Sequence, residues 1–337
     1  MALRVILKNT FLNNMTVENT SMSKSVSNNN SVAVIGAGLI GRGWAIVFAR
    51  AGWQVKLYDL QPAALGVAHR EITNQLTMLL SHGLCSEPDS IMQNIHLEPD
   101  LATALTDVDY VQECGPEILE EKQALFSKLD QLSAPQVILA SSTSGFMTSE
   151  FASHLNGRHR ALVVHPVNPP HLVPLVEISP AEWTDPQVVQ TTHEIMQAVK
   201  QTPITVQKEV PGFILNRLQG AVLNEALRMV TEGYATSDDV DKAVRDGLGL
   251  RWSFMGPFET IDLNAPAGLA DYAQRYGPMY GAMADSQSTP PDWSTEAIAK
   301  IHDMRRELLD IKDLNQRQDW RDDRLASLVA HKSKEKS

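Results

Sequence analysis

"VAVIGAGLIGRGWAIVFARAGWQVKLYD", residues 32–59, decides how this chain folds. An apolar run, Val32–Ile35, meets a glycine turn, then a helix-length segment of small and apolar residues, then a second apolar stretch ending at Asp59. That succession spells a strand, a helix and a parallel strand. Gly36, Gly38 and Gly41 make a G-x-G-x-x-G, a weak signal alone because glycine turns are common. Lying between a strand and a helix, with an acidic residue about twenty positions on, it meets the conditions for a dinucleotide fingerprint. Glycines let the backbone approach a pyrophosphate, and the helix start at Leu39, Ile40 and Gly41 offers unpaired amides and partial positive charge. Asp59 can accept from ribose hydroxyls. Followed by Leu60 and Gln61 instead of arginine, its charge repels a 2′-phosphate, so NAD is expected over NADP. The competing account is a βαβ turn without a ligand.

Beyond this unit, helical patterns fill about 61–82 and 117–132. Strands are expected at Tyr110–Val111, Val137–Ala140, Ala161–Val164 and Leu175–Ile178. Strands alternating with helices imply an α/β fold, a Rossmann-type doubly wound, mainly parallel sheet. After "TVQKEVPGF" the pattern changes: Pro211 suits the first turn of a helix, and "ILNRLQGAVLNEALRMV" has helical periodicity. The expected organisation is a disordered leader over 1–30, an NAD-binding domain over 31–208, an all-helical substrate and dimerisation domain over 209–315, and a C-terminal helix and tail over 316–337. The leader is rich in Ser and Asn and nearly acid-free, which also fits an over-long start or a transit peptide.

With 337 residues, 43 % of them apolar, the chain can bury a substantial core. A net charge of -11 argues against nucleic acid or an anionic membrane surface as partner. No window approaches the roughly 18 apolar residues of a membrane span. Cys85 and Cys114 have neither a metal-binding nor a CxxC spacing, so free thiols in a reducing, cytoplasmic compartment are expected and no metal is.

Ligands of open parallel sheets sit beyond the carboxyl ends of the strands, and three polar clusters fall there: "QECGPE", "SSTS" and His165. Taken singly they prove little, because strand-end Ser and Thr mostly bond loops and a lone His is often structural. Together, "GAGLIGRGWA", "SSTS", "HPVNPP", the Glu of "PLVEI" and "VPGFILNRL" resemble the 3-hydroxyacyl-CoA dehydrogenase superfamily. "GLGLRWSFMGPFETIDLNA" and "DWRDDRL" carry the likeness further, so that it spans about Val32 to Ser327.

The resemblance implies a general base at His165, oriented by Glu177, with Ser144 and Asn216 bonding the substrate oxygen and Asn168 supporting the histidine loop. It also implies cofactor contacts at Glu117, Lys122, Ser144 and Asn168. An alcohol must lose its O–H proton as its C–H hydrogen departs as hydride, and an imidazole, which titrates near neutral pH, suits that task. On residue type alone Glu177 fits a surface strand as well, and Asn216 a solvated helix position.

Family members that bind coenzyme A need Lys or Arg for its phosphates. Here Arg70 is the only basic side chain between Lys56 and Lys122, while eleven acidic residues lie in 61–121. A small free hydroxy acid is therefore expected, and the resemblance implies L-gulonate foremost, with L-carnitine or a short 3-hydroxyacyl-CoA as alternatives. Arg251 in "GLGLRWSF" could pair with its carboxylate or hold a dimer contact, since Trp252, Phe254 and Met255 resemble interface residues. The resemblance implies a homodimer. A non-catalytic dinucleotide binder is the reading from a different class.

Overall fold

The computed structural model describes residues 30–334, so the expectation for the leader falls, but for Asn30, outside the described residues. One eight-stranded sheet contains β1 Ser31–Ile35, β2 Gln54–Tyr58, β3 Ile95–Glu98, β4 Tyr110–Glu113, β5 Ile138–Ser141, β6 Ala161–Pro166, β7 Leu175–Pro180 and β8 Thr202–Thr205. Their order is β3-β2-β1-β4-β5-β6-β7-β8. The order reverses direction at β1, which pairs with β2 on one side and β4 on the other, opening a crevice above the glycine turn. Helices α1 Leu39–Arg50, α2 Pro62–Ser81, α3 Pro88–Gln93, α4 Leu101–Leu105, α5 Leu119–Leu132, α6 Thr148–Ala152 and α7 Pro186–Ala198 lie between the strands in sequence. From Leu215 onward only helices follow among the described residues: α8 Leu215–Thr231, α9 Ser237–Lys242, α10 Gly249–Trp252, α11 Pro257–Asp262, α12 Gly268–Ser286, α13 Thr295–Leu308 and α14 Leu314–Lys334.

The apolar runs become strands because both faces of the sheet are covered. Alternate side chains of β1 point to opposite faces. Val32 and Val34 enter a core with Trp44 and Phe48 of α1, Ile72 of α2 and Met196 of α7. Ala33 and Ile35 enter the opposite core with Phe126 of α5 and Phe151 of α6. A side chain as large as Phe48, fully buried, contributes roughly 1.5–3 kcal/mol. Helix α1 is apolar nearly all round because it is buried nearly all round, from Gly43 to Ala49.

Two expectations need correction. Sequence pattern misses β3 and β8, which have four residues each and close the two edges of the sheet. Such runs are too short to show a period, and Pro203 in β8 is tolerated only because an edge strand has a free side. Pro211 does not open a helix: Gly212 and Phe213 take φ of 77° and 51°, a left-handed conformation no α-helix contains, and α8 starts at Leu215. The sheet is mainly parallel, as expected, and its one antiparallel pair, β6 with β7, sets up the site.

Candidate functional site

The glycine turn is shaped by close approach. Gly36 has φ of 109°, and a Cβ at Gly41 would fall 1.8 Å from the Gly36 carbonyl oxygen, so neither position accepts a side chain. Gly38, by contrast, caps α1 with no side-chain partner and faces open space, leaving the helix amino terminus free for an anion. Asp59 Oδ2 accepts from the Ala37 amide at 2.8 Å and Oδ1 from the Gln61 amide at 2.9 Å. The carboxylate braces the turn and keeps lone pairs for ribose hydroxyls. An open, uncapped helix start beside an acid with no basic neighbour fits NAD.

Across the antiparallel pair β6–β7, His165 stands directly opposite Glu177. Residues so placed have their Cβ atoms within about 5.5 Å, close enough for a side-chain bond. His165 Nδ1 lies 2.8 Å from Glu177 Oε2. An ionised carboxylate only accepts, so Nδ1 carries the proton and Nε2 keeps its lone pair. Glu177 Oε1 accepts from the amides of Ile214 and Leu215, at 2.8 and 2.9 Å, at the start of α8. Burial alone would raise the Glu177 pKa, but the bonds from His165, Leu215 and Ile214 together hold it below the ordinary glutamate value. Phe213, fully buried, packs its ring 5.4 Å from the imidazole, so the left-handed turn that delays α8 also walls the histidine.

The hydroxyls of "SSTS" divide sharply. Ser141 Oγ donates to Glu113 Oε2 at 2.6 Å, Ser142 Oγ accepts from Trp44 Nε1 and Gln112 Nε2, and Thr143 Oγ1 donates to Glu117 Oε1 at 2.5 Å. Ser144 is exposed, and its hydroxyl has no partner among the described residues. Glu117 Oε1 also accepts from the amides of Ser144 and Gly145 and so holds the loop that presents the serine. Asn216, in the first turn of α8, donates from Nδ2 to the Ser144 carbonyl at 2.9 Å. The structure thus joins His165, Glu177, Ser144, Asn216 and Glu117 through one set of contacts between the sheet and α8.

Other expected residues lie apart from this set. Lys122 is 2 % exposed, with its ammonium 2.9 and 2.8 Å from the two oxygens of buried Glu113, so any cofactor contact would compete with an internal ion pair. Asn168 is exposed, and its side chain makes no hydrogen bond to the histidine loop. That loop is supported instead by Leu172 and Val173 amides bonding the Pro169 carbonyl, and by Pro170 against Gly43. A Cβ at residue 43 would come 2.6 Å from Pro170 Cδ. Gly43 is a site-shaping residue that the sequence reading passed over, although its place two residues after Gly41 was a signal. Glu113, Ser141 and Thr143 were missed because a motif does not say which hydroxyls are already committed. Arg251 is exposed on α10 near Tyr272, and no hydrogen bond or ion pair joins it to His165, Ser144 or Asn216. The two cysteines are free, and burial pushes both thiols up, Cys114 far more than Cys85. No helix among the described residues is long and apolar enough to cross a membrane.

Comparison with known proteins gives the family. Residues 31–210 match the family model for the 3-hydroxyacyl-CoA dehydrogenase NAD binding domain, and residues 212–300 match that for its C-terminal domain. The chain is 38 % identical to the lambda-crystallin homolog of Homo sapiens over 307 residues, covering 90 % of this chain and 96 % of the human protein. It is 36 % identical over 247 residues to L-carnitine dehydrogenase of Pseudomonas aeruginosa, covering 73 % and 76 % of the two chains. Among solved structures, 5-formyl-3-hydroxy-2-methylpyridine 4-carboxylic acid 5-dehydrogenase, an NAD+ dependent dismutase, superposes with a TM-score of 0.77 at 28 % identity, covering 90 % of this chain and 97 % of that one.

Proposed function

The chain belongs to the 3-hydroxyacyl-CoA dehydrogenase family, and from that premise we propose that it oxidises the 3-hydroxyl of a small L-3-hydroxy acid, with L-gulonate the foremost candidate. The observation that carries this proposal is the His165–Glu177 pair, buried, with Nδ1 committed and Nε2 free. NAD, when bound, supplies the hydride acceptor. His165 Nε2 takes the hydroxyl proton, and Glu177 holds the tautomer and stabilises the imidazolium as it forms, as the carboxylate of a hydrolase triad does. Ser144, whose hydroxyl is uncommitted, and Asn216 bond the reacting oxygen. Gly36, Gly38, Gly41 and Asp59 hold the cofactor, with Glu117 and Asn168 in its outer contacts, while Lys122 stays paired with Glu113 beneath them.

The acidic stretch 61–121, with Arg70 as its only basic residue, supports a free acid over a coenzyme A ester. Arg251 is the candidate partner for the substrate carboxylate. We place the domain division near Lys208 and the working form as a homodimer. Support for the dimer comes from the helical region, where Leu250, Phe254, Phe258 and Leu263 are each more than 65 % exposed. Free thiols suit the reducing cytoplasm.

The test is initial NADH formation by the purified protein with NAD and, separately, L-gulonate, L-carnitine and L-3-hydroxybutyryl-CoA. The highest kcat/KM is expected with L-gulonate. Preference for L-carnitine or for the thioester overturns the substrate assignment while keeping the chemistry. Tight NAD binding without turnover on any of the three favours a non-catalytic binder.

A further inference from the structure

Next to the proposed catalytic residues runs a polar network that their chemistry leaves unused. Its hub is Ser142, two residues before Ser144. Ser142 Oγ accepts from Trp44 Nε1 of α1 at 3.0 Å and from Gln112 Nε2 of β4 at 2.8 Å, and it stands 3.3 Å from Cys114 Sγ. Two donors fill both lone pairs of the hydroxyl, so its own proton goes to the Cys114 sulfur. The Ser142 hydroxyl is thereby fully used and has nothing left for a ligand. Gln112 Nε2 also donates to the carbonyl of Val164, the residue before His165, at 3.3 Å, and Gln112 Oε1 accepts from the Tyr110 hydroxyl at 3.1 Å.

The network begins where the sheet stops. Strands β5 and β6 pair from Leu139 with Ala161 to Ser141 with Val163, so Ser144 and His165 both lie beyond the last paired residues. Ser142 and Val164 are the next residue on each strand, and Gln112 bonds both. Trp44 ties the same hub to α1, the helix whose start faces the cofactor. Cys114 ties it to the glycine turn, since its carbonyl oxygen sits 2.6 Å from where a Cβ on Gly36 would fall. Trp44, Tyr110 and Gln112 are fully buried, and a buried network with every member bonded holds one arrangement firmly. Hydride transfer needs that firmness, because misplacing a reacting group by about 1 Å can cost about a hundredfold in rate.

We propose, on the basis of the dehydrogenase reading above, that Trp44, Gln112 and Ser142 are positioning residues: their network carries the β5–β6 register past the end of the strand ladder and fixes Ser144 and His165 against the cofactor helix. The working part of Trp44 is its indole N–H, and that of Ser142 its doubly accepting oxygen. Gln112 spans the two strand ends with one amide nitrogen.

Steady-state kinetics of Ser142→Ala, Trp44→Phe and the double variant test this, with the best of the three substrates named above. Ser142→Ala is expected to lower kcat by about 10–100 fold while the Kd for NAD stays within about threefold of the wild type. Trp44→Phe keeps an aromatic ring and one of the two bonds to the hub, and is expected to lower kcat by about three- to tenfold. In the Ser142→Ala background the same change should cost almost nothing more, because its partner is already gone. A kcat for Ser142→Ala within about twofold of the wild type overturns the proposal, whatever happens to the urea midpoint, as do losses that simply multiply in the double variant. Spectra of the full chain labelled with ¹³C-histidine, with NAD added, give a readout that needs no turnover. The His165 signal, identified by its absence in His165→Gln, is expected to shift or broaden in Ser142→Ala and Trp44→Phe, while His96 on the edge strand β3 keeps its own. A His165 signal unmoved in both variants overturns the proposal. A wild type that turns over none of the three substrates overturns the dehydrogenase reading instead, and the imidazole signal then still decides whether the network holds His165 in place.

Discussion

The sheet and the helical region treat their large apolar side chains in opposite ways. In the sheet region Trp44, Phe48, Tyr110, Phe126 and Phe151 are fully enclosed between layers. Along the helical region Phe254 and Phe258 are 67 % and 76 % exposed, and the 19 residues of α12 include none that is buried. A sheet covered on both faces closes its own core, whereas these helices leave theirs open, the feature on which the proposed homodimer rests. The proposed catalytic groups lie on the seam: Glu177 of the sheet accepts from the Ile214 and Leu215 amides where α8 begins, and Asn216 of α8 donates to the Ser144 carbonyl.

If this division is correct, substitutions should fail differently in each part. At the seam, His165→Gln is expected to lower kcat by roughly 10²–10⁴ fold with little change in the urea unfolding midpoint, because a proton acceptor is lost but little packing. Activity that survives this change removes His165 from the chemistry. Within the sheet, Lys122→Met leaves the Glu113 carboxylate buried without its cation, and urea unfolding should lose about 3–5 kcal/mol. A loss under about 1 kcal/mol would show that the sheet region tolerates unpaired charge and is less closed than described.

The acid side of the stability profile sharpens the same contrast. Burial holds His171 at about 4 against an ordinary 6.5, so between those values the unfolded chain binds a proton that the folded chain refuses. Stability is therefore intact above pH 6.5 and is lost as pH falls toward 4, by at most about 3 kcal/mol. Glu177, depressed below its ordinary 4.5, adds a further loss as the pH drops through that value and below. Unfolding measured from pH 7 to 4 should show the first loss in the wild type and not in His171→Leu; the same slope in both would assign it elsewhere. In the helical region, Phe258→Asp should weaken self-association by about 10–100 fold, read by sedimentation, with little effect on the unfolding of the dilute monomer. A wild type that stays monomeric at high concentration would end the interface account.

How much of this was legible in the residues differs from part to part. The βαβ unit could be read because its periodicity, glycines and terminal acid are all local. β3 and β8 could not, since four-residue edge strands carry no period and owe their existence to a neighbour already in place. By residue type alone, Ser141, Ser142, Thr143 and Ser144 stand on equal terms, and only the family resemblance singles out Ser144. Only the fold occupies the first three and leaves the fourth free.

From its residues alone this protein was bound to form a dinucleotide fold followed by helices, with an acidic surface and an NAD-type acid at Asp59, because each of these follows from local pattern or charge. Tertiary structure decided that β7 turns back antiparallel to β6, in the register that sets Glu177 opposite His165. It also decided that Asn216 meets Ser144 across 72 residues of chain, and that Trp44, Gln112 and Ser142 share one network. Register and long-range contact depend on packing among segments far apart in the chain, and no local pattern holds that information.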